Sequence, residues 1–159
     1  WKRHNMLAYN YRLPEICAAV ALAQVEKIDE LCEKRKLMGK GYLNVVQKSK
    51  SDILIPQYTP KGYTNSYYTF GAIFNGEKYG ISWQEFRKKY IEFGGDGIYA
   101  AWQLVYNEPC FKNQKIGWGR APVAEQLQRN IMQFTCNQSN ELERNLQTEC
   151  LRKTIKYFK

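Results

Sequence analysis

Ten consecutive residues, Ile16 to Val25, contain one polar side chain, Gln24. Pro14 loses no needed hydrogen bond at the start of a helix, and Glu15 suits its first turn. The segment therefore reads as a helix that is apolar nearly all round. Such a helix has no face to give to water and must be covered. Its unbroken apolar run, Ile16 to Ala23, is eight residues, against the roughly 18 of a membrane span. The cover has to be protein, so deep burial is expected. A chain of 159 residues offers few elements for that, and an uncovered apolar patch marks a subunit contact.

From Glu26 the pattern changes. Ile28, Leu31, Cys32, Met38, Tyr42, Val45 and Val46 recur mostly every three or four residues, which predicts a long amphipathic helix with a break near Gly39 and Gly41. Ser51 to Tyr63 carries Pro56 and Pro60 and reads as a loop. Ser66 to Phe74 predicts a strand, Asn75-Gly76 a hairpin-type turn, and Lys78 to Ile81 a second strand. Ser82-Trp83-Gln84-Glu85 is a capping box, opening a helix that stops at Gly94-Gly95. A turn at Asp96-Gly97 leads into Ile98-Tyr99, and Tyr99 to Trp118 is aromatic and aperiodic. Pro122 and Glu125 start a short helix, and Ile131 to Phe134 predicts a strand. Ser139 is expected to cap a last helix striped with Leu142, Leu146, Cys150, Leu151, Ile155 and Phe158. The fold class is α+β: a small, mainly antiparallel sheet packed by helices on one face. Residues 1–50 form an N-terminal motif with long linking helices, and 51–159 form the α+β domain.

The charge is 24 basic against 15 acidic residues, a net +9. It favours an anionic ligand or partner and says nothing of fold. Five cysteines with no C-x-x-C spacing read as reduced thiols in a cytoplasmic protein. The sole histidine, His4, leaves neither a zinc site nor a histidine-based triad to expect. Phosphate loops of the Walker or dinucleotide type are absent from the sequence. Gly94-Gly95-Asp96-Gly97 follows a helix, so it reads as a helix stop. The lysine-rich stretch from Lys34 to Lys50 reads as a solvated face. A basic, aromatic module gripping single-stranded nucleic acid would use the same composition, but the RRM and KH signatures are missing.

The stretch Leu7-Ala8-Tyr9-Asn10-Tyr11-Arg12-Leu13-Pro14-Glu15 is more specific, with Ala18-Ala19, Ala23-Gln24 and Ile28 through Lys34-Arg35 after it. It resembles a motif of the DegT/DnrJ/StrS sugar aminotransferases, pyridoxal-phosphate enzymes of fold type I. Ser66-Tyr67-Tyr68-Thr69-Phe70, Pro122-Val123-Ala124-Glu125 and Leu151-Arg152-Lys153-Thr154-Ile155 resemble later segments, so the likeness covers nearly the whole chain. The family usually has Gly where Ala8 stands. Trp102 and Tyr106 replace polar or His residues of many relatives.

The resemblance implies a C-terminal domain of a larger enzyme. The lysine carrying pyridoxal 5'-phosphate, the acidic residue facing its ring nitrogen and the Ser/Thr phosphate ligands would all lie upstream. The opening Trp1-Lys2-Arg3-His4, without initiator Met or signal peptide, agrees with a piece of a longer chain. That piece is expected to be inactive alone and to hold no catalytic residue. The whole enzyme would move an amino group from glutamate to a nucleotide-linked keto-sugar, as a cytoplasmic homodimer with Tyr9 to Ala23 at the two-fold contact. Relatives that dehydrate sugars, with His in place of the lysine, are the alternative. Asn10 is implied to reach the cofactor phosphate across the dimer; its other reading is a turn cap. Arg12 either adds a phosphate contact or pairs with Glu15. Tyr99, Trp102 and Tyr106 either line the nucleotide-sugar pocket or pack against the last helix. Neither nucleic acid nor membrane is expected as a partner.

Overall fold

The computed structural model describes residues 9, 12–100, 103–111, 117 and 119–159. The chain divides into two compact units, residues 1–31 and 32–159.

Helix α1 spans Glu15–Val25, with Pro14 in extended conformation just before it. The expected deep burial is not found: α1 has no buried residue, with Ile16 at 77% and Val20 at 63% exposure. The stretch is apolar, yet among the described residues every side chain of α1 keeps access to solvent. Helix α2 runs from Ile28 to Ser49 without the break expected near Gly39 and Gly41. Gly39 is instead where another residue closes on the helix: a Cβ there would overlap the ring of Tyr67.

The second unit is built on a four-stranded antiparallel sheet, ordered β1-β2-β4-β3. Its strands are β1 (Leu54–Pro56), β2 (Thr69–Phe74), β3 (Ile98–Ala100) and β4 (Ile131–Thr135). The register aligns Ile98, Phe134 and Phe70 in one row and Tyr99, Gln133 and Gly71 in the next. Successive side chains of a strand point to opposite faces, so the first row enters the core and the second faces away. Phe70, Ala72, Phe74, Met132 and Phe134 are buried on the core face.

Three helices cover that face: α2, α3 (Trp83–Glu92) and α5 (Glu141–Phe158). Met38, Tyr42 and Val46, spaced at i, i+4, i+8, form the buried stripe of α2. The Tyr42 ring lies 5.4 Å from Phe70 and 5.5 Å from Phe134, and Tyr90 meets Phe134 edge-on at 5.7 Å. Leu151, Thr154 and Ile155 are the buried stripe of α5. The expected α+β class, with helices on one sheet face, is what the structure has. The remaining helix, α4, is Pro122–Leu127.

Local signals fared unevenly. The capping box is formed in full: Glu85 N–H donates to Ser82 Oγ and Ser82 N–H to the Glu85 carboxylate. The cap of α5 is Asn140, one residue past Ser139, because the Asn140 side chain reaches Glu143 N–H at 2.9 Å. The strand expected over Lys78 to Ile81 is absent, and Gly76–Tyr79 is a 3-10 turn instead. Both edges of β2 are already paired, to β1 and β4. Lys78 Nζ and Tyr79 Oη instead reach Asp52, each at 2.6 Å. Part of the expected loop Ser51 to Tyr63 is β1, held by Pro56 opposite Ala72.

Candidate ligand site and its relatives

The sheet face turned away from the helices carries Thr69 on β2, Tyr99 on β3, and Gln133 and Thr135 on β4. With Arg35 from α2 and Tyr68 they line a cleft of about 440 Å³. The period of two puts those strand residues on one side. Arg35 comes from a helix whose apolar stripe faces the sheet, which leaves its guanidinium at the sheet's rim. Arg35 Nη1 donates to Tyr68 O at 3.0 Å, and the guanidinium carbon sits 5.6 Å from the Tyr68 ring centre. Tyr68 and Tyr99 are 81% and 50% exposed. Thr69 Oγ1 is loosely held by Gln133 Oε1 at 3.4 Å. Cys136 lies beneath; burial pushes its thiol up to about 11, so it stays protonated near neutrality.

The loop leading into β3 is fixed from the core. Gln147 on α5 accepts from Tyr90 Oη at 2.6 Å and from Asp96 N–H at 2.8 Å. The Tyr90 and Tyr42 hydroxyls lie 3.3 Å apart. Burial raises both phenols far above their ordinary value, so they act as neutral hydrogen-bonding groups. Asp96 Oδ2 receives Gln138 Nε2 at 2.8 Å and Thr135 Oγ1 at 3.3 Å. A chain of polar groups, buried at Tyr42, Tyr90, Gln138 and Gln147 and reaching the surface at Asp96, thus sets the turn two residues before Ile98, and with it the position of Tyr99.

A second cleft, about 640 Å³, opens between α2 and residues 57–67, with Lys36, Lys40, Tyr58, Tyr63 and Tyr67 on its walls. Tyr67 has φ +52, and its N–H donates to Asn65 Oδ1 at 2.8 Å. Its ring rests on the backbone at Gly39.

Of the residues singled out from sequence, the structure brings Tyr99 into the first cleft. Tyr106 lies elsewhere: its hydroxyl donates to Glu125 on α4 at 2.8 Å, and the same carboxylate accepts Gly119 N–H. Partial burial, then Glu125, raises the Tyr106 phenol. Arg12 is exposed. Asn10 and Trp102 lie outside the described residues. Sequence reasoning misses Arg35, Tyr68, Thr69 and Gln133. Alternation along Thr69–Phe74 and Ile131–Thr135 could have flagged two of them; Arg35 sits inside a basic run that reads as solvated.

The sequence profile of the DegT/DnrJ/EryC1/StrS aminotransferase family matches residues 1–148. The chain belongs to this family. Among similar proteins, EpsN of Bacillus subtilis (strain 168), named provisionally a pyridoxal phosphate-dependent aminotransferase, is 30% identical over 110 residues. That alignment covers 69% of this chain and 26% of EpsN. The GDP-perosamine synthase of Vibrio cholerae is 36% identical over 39 residues, covering 24% of this chain and 11% of that protein. An aminotransferase structure from Psychrobacter cryohalolentis superposes with TM-score 0.80 at 17% identity, over 98% of this chain and 42% of that one. Helicobacter pylori PseC, an aminotransferase involved in the biosynthesis of pseudoaminic acid, gives TM-score 0.76 at 15% identity, over 98% and 41%. The chain therefore spans about a quarter of the first curated relative and two-fifths of these solved chains.

Aminotransferases of this family depend on pyridoxal phosphate. A Schiff-base lysine needs its ammonium made easier to deprotonate. Lys78 and Lys89 move the other way, raised by hydrogen bonds to Asp52 and Glu92. Lys36, in the second cleft, is tied to Glu33 at 2.6 Å. These three lysines therefore do not fit the cofactor's covalent anchorage. What the first cleft offers is a guanidinium, amides and hydroxyls, the donor set of an oxyanion site.

Proposed function

We propose that this chain is the C-terminal part of a nucleotide-sugar aminotransferase. Glutamate gives its amino group and leaves as 2-oxoglutarate; the keto carbon of a nucleotide-linked sugar receives the group and becomes the amine. The observation that carries this reading is the family match over residues 1–148, anchored by Tyr9-Asn10-Tyr11-Arg12-Leu13-Pro14-Glu15. Pyridoxal phosphate supplies the electron sink when bound. The residues that carry it belong to a preceding domain, so the present chain alone is inactive. Its own part is to shape the sugar side of the site and to complete the assembly. Asn10 and Arg12 give phosphate contacts in the partner's site. Tyr99 and Trp102 belong to the nucleotide-sugar pocket; for Tyr99, the support is its place in the donor-lined cleft.

The uncovered apolar surface of α1 supports a homodimer with Tyr9 to Ala23 at the contact. The reduced cysteines and the lack, among the described residues, of any helix long and apolar enough to cross a membrane accord with a cytoplasmic enzyme.

The test is the full-length protein assayed with glutamate and nucleotide-linked keto-sugars, following 2-oxoglutarate. Amination is expected from the full enzyme and none from the 159-residue chain. The chain alone should also give no borohydride-reducible cofactor adduct. Asn10→Ala in the full enzyme is expected to weaken cofactor retention roughly tenfold or more, the value of one hydrogen bond to a charged group. Unchanged retention with a lower melting temperature would make Asn10 a turn cap. Dehydration of the sugar without 2-oxoglutarate release would overturn the aminotransferase reading. An active, monodisperse monomer would overturn the dimer.

A further inference from the structure

We propose that Tyr67 is a positioning residue: a left-handed elbow there seats residues 67 and 68 on α2 at two points, Gly39 and Arg35, and so fixes the Arg35 guanidinium at the sheet rim. This rests on the reading of the first cleft as the sugar side of the site. It adds a residue that acts on the cleft from outside its lining.

The phase of β2 is the first observation. Successive side chains of an extended chain alternate between faces. Phe70 is in the core and Thr69 lines the first cleft. Alternation carried back from them would bury Tyr68 and turn Tyr67 to the open face. The chain does the reverse. Tyr68 is 81% exposed and lines the first cleft beside Thr69. Tyr67 packs against the core and lines the second cleft. The slip occurs at Tyr67 itself, whose φ is +52. That region is costly for a bulky side chain and persists only where the surroundings impose it.

The surroundings do so at close range. Asn65 Oδ1 accepts the Tyr67 N–H at 2.8 Å, which closes the turn before the elbow. The Tyr67 ring then fills the notch at Gly39, where a Cβ would overlap three of its atoms. One residue on, Tyr68 O accepts from Arg35 Nη1 at 3.0 Å, and the Tyr68 ring centre lies 5.6 Å from the guanidinium carbon. Arg35 and Gly39 are four residues apart on α2, so they share one side of that helix. Two consecutive residues thus meet two consecutive turns of α2. In a regular strand neighbouring side chains point to opposite faces and could not both do so. Filling the core does not need this strain, since an aromatic side chain at 68 would enter the core in phase with Phe70. What the elbow adds is the grip on Arg35. A guanidinium on a long side chain, held in one orientation before a ligand arrives, loses less freedom on binding.

The test is made in the full-length enzyme, with glutamate and a nucleotide-linked keto-sugar. Tyr67→Ala and Gly39→Ala are each expected to raise the sugar KM about fivefold or more while kcat stays within about twofold, the signature of lost ground-state binding. Tyr67→Phe keeps the ring and should rescue KM. The double variant Gly39→Ala/Tyr67→Ala separates packing from positioning. It should regain stability, because the overlap is gone, and keep the raised KM, because the seat is empty. In an Arg35→Gln background, Tyr67→Ala should raise KM by less than about twofold, because the two residues act through one group. Recovery of KM together with stability in the double variant, or full additivity of Tyr67→Ala with Arg35→Gln, overturns the inference and leaves Tyr67 a packing residue. Amide exchange by mass spectrometry on the same protein reads the seat without turnover: exchange over residues 66–70 should quicken in Gly39→Ala and not in Tyr67→Phe. Unchanged exchange in Gly39→Ala also overturns the inference. If Gly39→Ala does not fold, Tyr67→Ala alone and in the Arg35→Gln background carries the decision. If the wild-type enzyme aminates only sugars without a nucleotide, the functional reading falls, and the same KM comparison with that sugar decides the role of Tyr67.

Discussion

Replacing Gln147 by Leu probes the buried polar chain beneath β3. Gln147 Oε1 is the acceptor for two donors, Tyr90 Oη at 2.6 Å and Asp96 N–H at 2.8 Å, and the residue is 3% exposed. Leucine keeps the volume and removes both bonds. The Tyr90 hydroxyl, left with only Tyr42 Oη at 3.3 Å, and the part-buried Asp96 N–H each lose an acceptor at about 1–3 kcal/mol. Burying a leucine in place of the amide returns roughly 1–2 kcal/mol. The net expectation is a loss of about 2–3 kcal/mol, midway between the limits these two effects set. Tyr90→Phe alone should cost about 1 kcal/mol, since it removes one hydroxyl and leaves the Gln147 carbonyl its Asp96 partner. The double variant should be more stable than the sum of the two losses, by about 0.5–2 kcal/mol, because Tyr90→Phe leaves no hydroxyl to orphan. Urea unfolding at one fixed, dilute protein concentration measures all four corners. Amide exchange at Asp96 adds a local readout and should quicken in Gln147→Leu. Strict additivity, or an unchanged Asp96 amide, would refute the claim that this chain of contacts holds the turn into β3.

Gly39→Ala should destabilise the chain by about 1–3 kcal/mol, the usual cost of forcing volume into a packed place, and Tyr67→Ala in the same chain should relieve much of it; urea titration of the pair checks both. The carboxyls of Asp52, Glu85 and Glu143 are held below their ordinary range, by hydrogen bonds from Lys78, from the Ser82 backbone and from the Ser139 backbone respectively. Their stabilisation is present above the unfolded-state pKa, about 4, and is lost as pH falls through the lower folded values. Melting temperature should therefore fall below about pH 4, less steeply in Asp52→Asn. At pH 8, iodoacetamide should label exposed Cys17 and Cys110 well before Cys136, whose thiol is pushed up to about 11; mass spectrometry of the timed digest decides this.

What the sequence makes legible is mostly local. The capping box needs four residues and closes as written. Ile131–Thr135 alternates and is a strand. Strand pairing is not local, and there the reading slips: nothing near Lys78 says that both edges of β2 are occupied. Leu54-Ile55-Pro56 is too short and too proline-marked to read as a strand until Phe74, Ile73 and Ala72 are seen opposite. The apolar run from Ile16 to Val25 reads correctly as a helix, but its side chains are not buried among the described residues, since apolar character alone does not say what packs on it. At the site, Tyr99 is legible through the family likeness. Arg35 is not, since a lysine-rich helix gives no sign of which cation stands at the rim of a sheet.

Pro56 has a consequence for how such a sheet behaves in crowded solution. In an antiparallel ladder, successive N–H groups alternate between the neighbouring strand and the open side. Gln57 N–H points inward, to Gly71 O at 3.0 Å, so position 56 points outward from edge strand β1. A proline there costs β2 nothing and withholds a donor from any passing strand. The β1 margin is thereby made a poor template, and runaway strand-on-strand polymerisation from that side is discouraged at the level of one ring closure.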